Sequence, residues 1–164
     1  MAKHDECRDI EDLKQEYEIL RAKYNLPDFK ILAEEFDVER VAEKETSFVL
    51  RNIRRAMNDK ISAYLRLFET LNNPSSAPMF IFSMLKNLKE AEKDKMKEIY
   101  KKFAKLEIDV MKLDTVYDEK KEADFIKAVA GQWDVVKKEV YSLLENLGKD
   151  FDISSNSVKG GYFG

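Results

Sequence analysis

Two unbroken runs of apolar residues, spaced alternately three and four apart, constrain this chain more than anything else in it. Met96, Ile99, Phe103, Leu106, Val110, Leu113 and Tyr117 form the first run. Ile126, Val129, Trp133, Val136, Val140, Leu143 and Leu147 form the second. That spacing sets every one of these side chains along a single seam of an α-helix. A helix with one apolar seam needs a partner to cover it. The runs therefore fix architecture and leave little sequence for chemistry.

The rest of the chain follows the same logic. Ile10, Leu13, Tyr17, Leu20 and Tyr24 keep a helical period up to Pro27, which ends that helix or starts the next turn. A short segment, residues 29–36, follows. Asp37 then reads as the N-cap of a long helix over residues 38–72, which contain no Gly or Pro. Glu45 and Asn52 fall where that helix's seam expects apolar groups. Either they are buried and fix register, or the seam rotates and both face water. Pro74 and Pro78 end the helix, and Pro78 can open the next one. The charged stretch over residues 86–98 leaves open whether 79–117 is one helix or two. Asp118 is the expected N-cap of the last helix, and Gly148 its left-handed terminus.

These elements predict an all-α fold, an antiparallel three- to four-helix bundle with coiled-coil-like long helices. Its seams are expected to bury Ile53, Met57, Tyr64, Phe68, Phe103, Leu106, Val110, Val129, Trp133, Val136 and Val140. Residues 1–151 form a single domain on this reading. Residues 152–164, without periodicity and with three glycines in the last five positions, form a disordered tail.

Composition bounds the function. The 164 residues are 37% charged and 44% apolar, with five glycines and three prolines, the balance of long soluble helices. A net charge of −3 argues against a general nucleic-acid binder. The charge is uneven: residues 1–50 hold 8 Lys+Arg against 14 Asp+Glu, and residues 51–164 hold 21 against 18. A single cysteine, Cys7, excludes an internal disulfide. The first residues are charged, unlike a signal peptide, and the longest apolar run, Ala77–Phe82, is too short to span a bilayer. The expected location is cytoplasmic, with no membrane partner.

Little points to catalysis. The only histidine, His4, and Cys7 stand at i, i+3, half of a zinc site that a symmetry mate would complete, or simply two solvated residues at a chain end. No Glu-x-x-His pair exists, so a di-metal bundle centre lacks its ligands. No glycine-rich loop precedes a helix to cradle phosphate. The expectation is a non-enzyme with no catalytic, cofactor-binding or metal-ligating residue.

Three features are not explained by architecture. Arg51, Arg54 and Arg55 lie at i, i+3, i+4 on the long helix. They are either a phosphate grip for nucleic acid or, as the reading preferred here, an ion-pair network with the acidic first fifty residues. Met79, Phe80 and Phe82 lie in a segment that is apolar nearly all round. Such a segment plugs the end of a bundle, or docks another protein. The chain ends Tyr162-Phe163-Gly164 behind a flexible Gly160-Gly161. Those three residues resemble the hydrophobic–tyrosine–any-residue ending by which proteasome activators insert their C-termini into the ring's intersubunit pockets. Phe163 departs from that pattern, for it lacks the tyrosine hydroxyl. The resemblance implies a proteasome-docking factor; an unassigned peptide motif, or a tail without a role, fits the same residues. The leading functional expectation is an interaction protein, an adaptor, scaffold or chaperone-like bundle with a protein partner. Nucleic-acid association through the arginines is the alternative, and a homo-oligomer is compatible with either.

Overall fold

The computed structural model describes residues 9–43, 48–86 and 88–158, and these are all-α, with no strand among them. The α-helices are α1 (Ile10–Tyr24), α2 (Phe29–Phe36), α3 (Val49–Asn72), α4 (Met79–Leu85), α5 (Glu90–Thr115) and α6 (Glu119–Val158). Short 3-10 turns lie at Val38–Glu43 and Pro74–Ser76. The chain clusters into two compact units. One holds the residues up to Ser62 together with Glu107–Trp133; the other holds Ala63–Leu106 with the residues from Asp134 onward. Helices α3, α5 and α6 each give a segment to both.

In the first unit α3 and α5 run antiparallel. Arg54 pairs with Asp114, and further along α3 Ser62 Oγ donates to Glu107. Helix α6 runs parallel to α3, since Arg54 meets Glu122 while Lys60 lies over the Trp133 ring. Ile53, Met57, Ile61, Val110, Ile126 and Val129 are buried between them. Helices α1 and α2 close this core. Tyr17 is fully buried, donates its hydroxyl to the Pro27 carbonyl at 2.7 Å and meets the Phe29 ring edge-on. At the far end of α2, Phe36 tilts against Trp133 with ring centroids 4.7 Å apart. The indole N–H donates to Glu35 Oε2 at 3.1 Å, and Lys60 Nζ donates to the Glu35 carbonyl.

In the second unit Tyr64 and Phe68 of α3 stack on Phe103 of α5. Lys95 and Lys102 of α5 reach the same carboxylate, Glu139 of α6, at 3.1 and 2.8 Å. Met96, Ile99, Val136, Val140, Leu143 and Leu147 are buried here. Both heptad runs thus face inward; only Leu106 and Tyr117 among their members, and Tyr64 of α3, are half-exposed.

Several local expectations are corrected, and the question left open over residues 79–117 is answered. Asp37 is not an N-cap: it ends α2 in the left-handed region at φ 54°, its N–H bonded to the Ala33 carbonyl. The expected helix over 38–72 is therefore interrupted. A 3-10 turn covers Val38–Glu43, and α3 begins at Val49. With three residues per turn, the 3-10 form still sets Val38 and Val41 on one face, and both are buried. Residues 79–117 form two helices, α4 and α5, with Lys89 N–H donating to Glu92 Oε2 as half of a capping box. Gly148 does not terminate α6, which runs on to Val158, so residues 152–158 are helical where a disordered tail was expected. No glycine among the described residues has a positive φ. Asp118 does act as a cap, its Oδ1 accepting from the Lys121 N–H at 3.1 Å.

Candidate functional site

The seven-residue helix α4 follows the turn that Pro74 and Pro78 stiffen, and Pro78 sits at its N-cap. One side chain, Ile81, is buried. Its large neighbours point to water: Met79 is 78% exposed, Phe80 54% and Phe82 41%. A helix of two turns anchors only one face, so Ile81 is buried, Met84 and Leu85 are half-buried, and the segment leaves part of its apolar surface uncovered. Three large apolar side chains exposed within four residues are a local concentration, not the scattered single exposure that is ordinary. The turn preceding α4 contributes Asn73 and Ser76 to a polar hollow of about 510 Å³, shared with Glu69, Thr70, Asn72 and Tyr100.

The arginine trio sits at the start of α3, in the first unit. Arg54 is fully buried. Its Nε donates to Glu122 Oε2 at 2.7 Å and its Nη2 to Glu122 Oε1 at 3.3 Å and Asp114 Oδ1 at 2.7 Å. Glu122 is itself fully buried, so the fork-to-carboxylate pair is desolvated on both sides. Burial works against the Arg54 charge, but the hydrogen bonds it donates to Glu122 and Asp114 outweigh it and raise its pKa. The same contact with Arg54 holds Asp114 below the usual aspartate range, against the opposing effect of its own burial.

Arg51 shares Glu122 at 3.4 Å, donates to the Leu113 carbonyl at 3.3 Å and lies 4.9 Å from the centroid of the Tyr117 ring. Arg55 is the exposed member and lies 3.6 Å from Asp114. The arginines are thus an ion-pair network, and among the described residues their carboxylates are Asp114 and Glu122, not acids of the first fifty residues. Of the three guanidiniums, only that of Arg55 is open to a nucleic-acid backbone. Asn52, one of the two polar seam residues, is buried.

His4, Cys7, Glu45, Tyr162, Phe163 and Gly164 lie outside the described residues. Among the described residues, no group of three or more His, Cys, Asp or Glu is placed to hold a metal ion. No helix there is long and apolar enough to cross a membrane. What the sequence could not show is that Glu122 and Asp114 converge on Arg54. They stand more than 55 residues away, and in sequence each resembles any other surface acid.

Comparison with protein-family models, with curated proteins and with solved structures yields no match to this chain.

Proposed function

We propose that this chain is a non-enzymatic helical interaction protein, an adaptor, scaffold or chaperone-like module, that binds another protein through the apolar face of α4. The observation that carries this reading is the exposure of Met79, Phe80 and Phe82 on a helix already anchored by Ile81. Full burial of a large apolar side chain is worth about 1.5–3 kcal/mol, and a docked partner would return the share of it that the exposed parts of these three forgo. Methionine and the aromatics are the residue types enriched where protein surfaces meet, and methionine adapts its shape to what it touches.

The test is affinity capture from the native cell with the wild-type chain and with a triple variant, Met79→Ser, Phe80→Ser and Phe82→Ser. A stoichiometric partner held by the wild type and lost by the folded variant supports the reading. Identical partner sets dispose of it.

A further inference from the structure

The two compact units carry opposite charge. By sequence the first holds 16 Lys+Arg against 22 Asp+Glu, and the second 13 against 10. The exposed apolar face of α4 lies in the second. Lys86 follows α4 directly and keeps α-helical angles, φ −58° and ψ −35°. Met79, Phe82 and Lys86 therefore follow at i, i+3 and i+7 along one face. Lys86 and Lys89 are exposed, and neither joins an ion pair among the described residues. The surface is an apolar knob with two cations beside its C-terminal end.

The first unit offers the complement. Helices α1 and α2 and the turn after them line a hollow of about 610 Å³. Ala33, a small part of Phe29 and the methylene stems of Lys14 and Lys30 make its apolar lining. Glu18, Asp28, Glu34 and Glu39 also line it, and all four are exposed. Neighbouring cations do not cancel these acids. Arg21 serves both Glu18 and Asp28, Lys30 serves Glu34, and Lys14 takes Glu11. With those contacts included, five carboxylates face three cations around the hollow.

We infer that α4 docks in the α1–α2 hollow of a second copy of this chain. The inference rests on the reading of α4 as a protein-docking surface and names the partner. Met79, Phe80 and Phe82 enter the hollow, while Lys86 and Lys89 meet the carboxylates around it. Contact of α4 with α4 would set lysines against lysines, so the two copies meet through different surfaces, a heterologous contact. A seven-residue helix covers less than the ~1,200 Å² of a stable interface, so the association is weak and salt-dependent.

The experiment is sedimentation velocity of the full chain from about 10 µM to about 1 mM, at low and at high salt. Concentration-dependent self-association is expected, and salt should weaken it. Two charge-reversed chains test whether this contact carries it: Lys86→Glu with Lys89→Glu, and Glu34→Lys with Glu39→Lys. Each reversed chain alone should self-associate about tenfold more weakly than the wild type, since each sets like charge against like. Mixed in equal amounts the two should associate again, because each then meets the opposite charge. All four residues are exposed, so both chains should keep the wild-type circular dichroism and urea midpoint. A wild-type chain that stays monomeric at about 1 mM would overturn the inference. So would association that neither reversal weakens, or reversed chains that mixing does not restore. A monomeric chain that still captures a different protein, lost by the serine variant, would leave α4 a docking surface and remove only the second copy as its partner.

Discussion

At the scale of single residues, the most consequential choice in this chain is a charged group placed where apolar ones are expected. Arg54 is fully buried on α3, and the acid that holds it, Glu122, is fully buried on α6. Such a pair contributes little net stability against an apolar replacement, yet breaking it leaves one charge stranded. Glu122→Gln is therefore expected to destabilise the fold by about 3–5 kcal/mol, read as a lowered urea midpoint. Replacing both partners together, Arg54→Met with Glu122→Leu, should recover much of that loss. Equal destabilisation by the single and the double replacement would show that the pair is not a desolvated unit. The spacing of Arg51, Arg54 and Arg55 was legible in the sequence, and so was the tendency of such a group to pair with acids. The identity of the acids was not, because local pattern carries no information on which distant helix supplies the partner.

At the scale of elements, the heptad runs were legible because a period of 3.5 states which face is buried whatever lies opposite. Helix ends were less so. Aspartate caps a helix start with its side chain, yet it also tolerates the left-handed conformation of a helix end. Asp37 takes the second role and Asp118 the first. Glycine is ambiguous in the same way. Within a helix it costs only about 1 kcal/mol relative to alanine, and the buried seam of Leu143 and Leu147 carries α6 past Gly148. A Cβ at Gly148 meets no atom within 4 Å. Gly148→Ala should accordingly raise stability by about 0.5–1 kcal/mol, measured by thermal or urea unfolding. A loss of stability would instead mark a left-handed helix end at that position. Helix α4 shows the converse limit. Its apolar content was plain in the sequence, but uniform apolarity does not say which face is anchored. Its exposed residues should be replaceable with serine at about 0.5 kcal/mol or less each, whereas Ile81→Ala should cost about 2 kcal/mol or more.

At the scale of the molecule, acid should unfold the chain through its paired carboxylates. Asp114 is held below its ordinary value of 3.8 chiefly by its hydrogen bond from Arg54. Glu119 and Glu139 are held below 4.5 chiefly by Lys23 and Lys102. In each case the folded state releases its proton more readily than the unfolded state. The stability these groups add is complete above their ordinary values and is lost as pH falls through the lowered folded ones. Urea midpoints should therefore be steady from neutral pH to about pH 5 and drop steeply below about pH 4. The drop should be smaller in Asp114→Asn; a midpoint indifferent to acid would contradict the pairing.

Helix α4 is proposed here as a protein-docking surface and not a face left wet by chance. The most direct measurement is quantitative capture from the native cell, comparing wild type with the Met79→Ser, Phe80→Ser, Phe82→Ser variant at matched folded concentration. The expected result is a partner bound in stoichiometric amount by the wild type and absent from the variant, with both chains folded. A partner retained in full by the variant would contradict it.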